Sequence, residues 1–183
     1  MASVKAKGTT VIDNAAREPE IVDLANMLNE MGARIIGAGT PVVTIEGVEE
    51  LCPVTHRVVG DRIEAGTFIV AGALAAGPAG IEVLGFNPHH LGMVLKKFES
   101  MGVCIERIEQ GVRVQRCERF APVDIQTLPF PGFPTDMQAQ VMVLSALADG
   151  NSIITENIFE NALCLPLSSS VWARTFVSRG ITP

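Results

Sequence analysis

A chain of 183 residues, 48% hydrophobic and 19% charged, carries enough apolar material for one or two buried cores, which excludes a disordered polymer. Its formal charge of −6 comes with no basic stripe to displace phosphate counterions, which weighs against nucleic acid as a partner. The longest apolar run, Gly66–Ala76, falls short of the roughly 20 residues that span a bilayer, so no membrane partner is expected.

In chain order, Met1–Gly8 carries lysines but no apolar core of a secretion signal, which points to a cytoplasmic protein. Pro19–Met31 places Ile21, Leu24, Ala25, Leu28 and Met31 at helical spacing, with charged residues on the other face. Met31-Gly32 ends that helix, and strands follow at Ala33–Ile36 and, after a glycine turn, Val42–Ile45. Arg62–Ala76 is small and apolar nearly all round, a helix that must be enclosed. His89–Met101 is a second amphipathic helix, led by Pro88; the His89–His90 pair reads better as its exposed start than as metal ligands. Met101-Gly102 closes it, and strands follow at Val103–Ile108 and Val112–Gln115. Met137–Ala148 is another helix of the enclosed type. The four cysteines, Cys52, Cys104, Cys117 and Cys164, form no CxxC pair and no metal spacing with the histidines, so reduced thiols and no metal are expected.

These elements repeat. Leu91, Val94, Leu95, Phe98 and Met101 copy Ile21, Leu24, Ala25, Leu28 and Met31 at an offset of about 70 residues. Ala65–Gly77 likewise resembles Gln138–Gly150, each with an Ala-Leu-Ala near its end and a closing glycine that suits a helix C-cap. The expected fold is α/β, built from helix–strand–helix–strand–strand units around enclosed helices, with alternating strands such as Val112–Gln115 leaving one sheet face wet. Active groups are then expected at junctions between units.

The stretch Leu128–Gln140, LPFPGFPTDMQAQ, is the densest in chemistry. Pro129, Pro131 and Pro134 fix φ and remove donors, which makes a stiff loop. Thr135 with Gln138 three residues on is a capping-box signature for a helix running to about Asp149. Asp136 would then sit in the first turn, where the helix dipole favours a carboxylate suited to act as base or substrate ligand. Assistance to the cap is an equally good reading of Asp136.

The runs Gly8–Ile36 (GTTVIDNAAREPEIVDLANMLNEMGARII), Asp61–Phe68 (DRIEAGTF), Phe133–Gln140 (FPTDMQAQ) and Thr155–Asn161 (TENIFEN) resemble the UDP-N-acetylglucosamine 1-carboxyvinyltransferase family of enolpyruvyl transferases. The resemblance implies an incomplete inside-out α/β barrel fold. Residues 1–59 would be the C-terminal part of the first domain, residues 60–161 the N-terminal part of the second, and residues 162–183 an out-of-family tail. It implies a peptidoglycan-precursor enzyme that moves enolpyruvate from phosphoenolpyruvate to the sugar 3-hydroxyl, with no metal or organic cofactor. Asp136 matches the family's general base, Ile158 a nucleotide-sugar contact, and Arg17, Glu18, Asp61 and Arg62 charged residues near the domain junction. Asp61 with Glu64 also reads as a second capping box, the better reading for Glu64, and Arg17–Glu18 can equally be a surface ion pair of little energetic value. The related enolpyruvylshikimate-phosphate synthases share the fold but lack FPTDMQAQ and NAAREPE.

The family's N-terminal lysine–asparagine pair, reactive-cysteine loop and phosphoenolpyruvate-binding arginines have no counterpart in this sequence. The isolated chain is therefore expected to be inactive, and a non-catalytic fragment or pseudogene product is the alternative reading. Unpaired edges make self-association an expected property. From Ala162 the family pattern stops. Codons can be chosen for Ala162–Pro183 that, with one base restored after Asn161, continue the family's arginine–phenylalanine–methionine and a further copy of Met31–Ile35. A single-base deletion is therefore expected, with Leu163–Pro183 poorly ordered and its apolar residues prone to aggregate.

Overall fold

A computed structural model describes residues 1–159. The elements run β1 (Thr9–Asp13), α1 (Pro19–Glu30), β2 (Arg34–Ile36), β3 (Val42–Glu46), α2 (Arg62–Ala75), β4 (Ile81–Leu84), α3 (Gly92–Ser100), β5 (Ile105–Ile108), β6 (Gly111–Val114), β7 (Ile125–Gln126), α4 (Gln138–Leu147) and β8 (Ile154–Thr155). The expectations for the tail, Leu163–Pro183, lie outside the described residues.

The described residues divide into two units, residues 1–60 and those from Asp61 on. In the first, β1 and β2 flank β3 in an antiparallel sheet, with Ile45 opposite Thr10 on one side and Ile35 on the other. Val43 and Ile45 point inward with Leu28 and Ala33, while Val42 and Glu46 face water. In the second unit β4 and β5 flank β6 in the same order, so the repeat in sequence is a repeat in topology. Its wet face carries an ion-pair ladder, with Arg113 2.6 Å from Glu82 and 2.9 Å from Glu106. The core below holds Val83, Leu95, Phe98, Val112 and Val114 with α2 and α4.

The two amphipathic helices end by the same device. Gly32 and Gly102 adopt φ of +102° and +96°, a region costly for residues with a Cβ. In each, the next residue's N–H closes back on the final turn, Ala33 to the Leu28 carbonyl and Val103 to the Phe98 carbonyl. The glycine C-caps expected at Gly77 and Gly150 are not formed: α2 and α4 end on Ala76 and Ala148 in extended conformation. After α2 a turn follows instead, in which the Gly80 N–H donates to the Gly77 carbonyl. Enclosure is also partial. Glu64, Phe68, Ala71 and Ala75 form an exposed stripe on α2, and Val143 and Leu147 one on α4, among the described residues. The start of the second amphipathic helix is a 3₁₀ turn, Pro88–Leu91, opened by the Asn87 side chain accepting the His89 N–H.

Candidate functional site

The proline loop is built onto a short parallel sheet. β7 and β8 pair Ile125 with Ile154 and Gln126 with Thr155, joined by α4 as the crossover. Beyond β7, the Thr127 N–H reaches the Thr155 carbonyl, and the Leu128 N–H reaches back to Phe133 across a tight turn at Pro129–Gly132. Phe133 is buried beneath, and the Phe130–Pro131 bond is cis. The loop docks on the start of α2. The Arg62 guanidinium lies over the Phe130 ring at 5.7 Å, and Gln140 donates to the Thr67 hydroxyl at 2.9 Å. Met137 is wholly buried against Gly66, where a Cβ would come within 2.6 Å of its sulfur.

Thr135, Asp136 and Met137 form a 3₁₀ turn that leads into α4. The expected capping box is absent. Neither this turn nor α4 has a side-chain cap, and α4 ends at Leu147, short of Asp149. The Thr135 hydroxyl is instead committed elsewhere, donating to Glu156 at 2.6 Å. The Gln138 side chain is buried with its Nε2 unpartnered. The Asp136 carboxylate, freed from any capping role, is exposed. Ile158 is 38% exposed in the loop after β8, and its N–H donates to Glu156 at 2.7 Å.

Asp61 is the N-cap of α2, accepting from the N–H groups of Ile63 at 2.8 Å and Glu64 at 3.2 Å, so the Asp61 half of the second capping box is formed. Arg62 is buried in the first turn behind it. Arg17 and Glu18 belong to the other unit, just before α1: Arg17 is exposed, and Glu18 is the N-cap residue without a cap bond, its Oε2 buried and unpartnered. The structure thus brings Asp136, Ile158, Asp61 and Arg62 into one unit and leaves Arg17 and Glu18 in the other.

Glu156 was not among the expected site residues. It is 5% exposed and accepts four hydrogen bonds: from Thr135, from Thr127 at 2.8 Å, and from the N–H groups of Ile158 and Phe159 at 2.7 and 3.2 Å. Burial pushes its carboxyl up, but those donors outweigh burial and hold it below its ordinary value. Asn157 reinforces the junction by donating to Thr127 from its backbone and its side chain. A glutamate between threonine and asparagine reads as surface by pattern; its signals in the sequence are its place in the run Thr155–Asn161 and its position two residues before Ile158. Among the described residues no three potential metal ligands converge, and no helix is long and apolar enough to cross a membrane.

Residues 1–165 match the family described as EPSP synthase (3-phosphoshikimate 1-carboxyvinyltransferase). The chain belongs to that family. A solved family member, the enolpyruvyl transferase NikO from Streptomyces tendae, superposes with a TM-score of 0.77 at 26% identity, over 87% of this chain and 38% of that one. The UDP-N-acetylglucosamine 1-carboxyvinyltransferase of Nocardia farcinica is 58% identical over 160 residues. The enzyme of that name numbered 1 from Staphylococcus aureus strain MRSA252 is 54% identical over 161. The chain spans 37% and 38% of the length of these two relatives. The enolpyruvyl transferase fold that the resemblance implies is the fold observed, in part, and the relatives are transferases.

Proposed function

We infer that the chain is part of an enzyme that transfers enolpyruvate from phosphoenolpyruvate to the 3-hydroxyl of UDP-N-acetylglucosamine, with release of phosphate. The observation that carries this reading is the exposed Asp136 on a rigid turn, in a chain 58% identical to a relative bearing that enzyme's name. A sugar hydroxyl is a poor nucleophile, and a positioned carboxylate that takes its proton contributes about 10²–10⁴-fold. Ile158 supplies a backbone and apolar contact for the nucleotide sugar. Arg62 holds the proline loop through Phe130, and Asp61 fixes the helix that presents Arg62. Arg17 and Glu18 are further substrate-binding residues on this reading. Residues 1–59 belong to the end of the first domain of the complete enzyme and residues 60–161 to the start of the second. The reaction places the enzyme in cytoplasmic peptidoglycan-precursor synthesis, and the exposed apolar stripes make self-association of the isolated chain its accompanying property.

The test is phosphate release from phosphoenolpyruvate that depends on UDP-N-acetylglucosamine. It uses a chimera in which residues 1–159 replace the matched segment of the Nocardia farcinica relative. Asp136→Ala is expected to lower turnover by about 10² or more while the protein stays folded. Turnover retained by Asp136→Ala would remove the base from this reading.

A further inference from the structure

Glu156 stands between the two segments that carry the proposed sugar contacts. One carboxylate oxygen accepts from the Thr135 hydroxyl at 2.6 Å, and the other accepts from the Ile158 N–H at 2.7 Å. The residue next to Asp136 and the backbone of Ile158 are therefore separated by the width of one carboxylate. The oxygen that accepts from Ile158, Oε1, also accepts from the Thr127 hydroxyl at 2.8 Å and the Phe159 N–H at 3.2 Å. A carboxylate only 5% exposed is costly without hydrogen-bond donors, and here each oxygen has at least one, from two hydroxyls and two amides in all. It caps no helix. Its donors come from three different segments, so moving any one of them breaks a charge-assisted hydrogen bond, which is roughly twice as strong as a neutral one.

We propose that Glu156 is a positioning residue that clamps the Thr135–Asp136 turn to the Ile158 loop, so that the base and the sugar contact are held as one rigid group. The inference rests on the reading of Asp136 and Ile158 above, and adds what keeps them in register. A base displaced by a fraction of an ångström loses rate steeply, so a strut beneath it serves catalysis as well as folding.

The experiment uses the full chain, isotopically labelled, with UDP-N-acetylglucosamine as the probe and Glu156→Gln, Glu156→Ala and Thr135→Val as variants. On acidification of the wild type, the amide signals of Asp136, Ile158 and Phe159 are expected to shift with one midpoint, shared with the Glu156 carboxyl carbon. Glu156→Gln abolishes that shared step yet keeps the neutral-pH signals near their places, because its amide oxygen still accepts from Ile158 and its amino group faces the Thr135 oxygen. Glu156→Ala displaces both segments while the signals of β4–β6 stay put. Thr135→Val, which leaves Glu156 in place, still moves Ile158. The nucleotide sugar is expected to bind Glu156→Gln within about threefold of wild type and Glu156→Ala about tenfold more weakly or worse. Separate midpoints, or an Ile158 signal indifferent to Thr135→Val, overturn the clamp even if Glu156→Ala fails to fold. Nucleotide-sugar binding unchanged in a folded Glu156→Ala overturns the positioning role alone. A shared midpoint with no response to the nucleotide sugar anywhere overturns the functional reading, and the positioning role with it.

Discussion

At the scale of single residues, the site is organised by a buried carboxylate that supports an exposed one. Asp136 is presented to solvent on a 3₁₀ turn, while Glu156 lies beneath with four donors. The sign of its stability contribution follows from its titration. Its folded-state pKa lies below its ordinary 4.5, so the stabilisation is fully present above that value. It is lost as pH falls through the lowered folded value. The stabilities of wild type and Glu156→Gln, measured by denaturant unfolding, should accordingly differ most near neutral pH and converge in acid, where a protonated glutamate resembles glutamine. A gap that widened in acid would contradict this assignment. Sequence located Asp136 at a helix start because prolines precede it and a helical run follows. It left Glu156 unread, since its partners Thr127 and Thr135 are 29 and 21 residues away.

At the scale of elements, two kinds of glycine do different work. A Cβ added at Gly32 would meet nothing within 4 Å, so the role of this glycine is conformational alone. Gly32→Ala should cost about 1–2 kcal/mol in thermal or chemical unfolding, the penalty of a left-handed residue with a side chain. Gly66 is a matter of space. An alanine there meets the Met137 sulfur at 2.6 Å and must push aside the residue that follows Asp136. In the chimera, Gly66→Ala should depress turnover more than it depresses Tm, and the reverse pattern would show that Met137 relaxes without disturbing the turn. The composition of α2 thus has a positional meaning. Small residues let the proline loop and β4 approach, as at Gly72, where a Cβ would meet Ile81 at 2.7 Å. Periodicity alone told that α2 was apolar all round, but not that Phe68 would remain 54% exposed. Which stripe of such a helix is covered depends on elements that are distant in sequence.

At the scale of the whole molecule, each unit carries its own core, and the segment after β3 has no regular structure until α2. Within the first unit this segment is tied to α1 by His56, whose Nε2 lies 3.1 Å from Asp23 and whose Nδ1 lies 3.4 Å from Glu30. The hydrogen bond with Asp23, ahead of an opposing effect of burial and further support from Glu30, raises the imidazole above its ordinary 6.5. That tie is fully present below the unfolded value and is lost as pH rises through the higher folded one. Trypsin cleavage after the exposed Arg57 should accelerate across that rise relative to a peptide control, and His56→Gln should make the rate uniformly fast. Cleavage with no pH dependence beyond the control would show that the tie does not restrain the segment.

The local code of this chain determined what is local: helices from 3.6-residue spacing, Met-Gly terminators, alternating strands, and a repeat in the order of elements along the chain. Those signals act over a few residues, or recur at a fixed offset, and so can be read directly. The tertiary structure alone decided where Thr135 sends its hydroxyl, which glycines cap, which helix stripes stay exposed, and that Glu156 joins two loops. Each of those outcomes is a competition between a short-range partner and a long-range one, and it is resolved only when β7, β8, α2 and the proline loop occupy the same space.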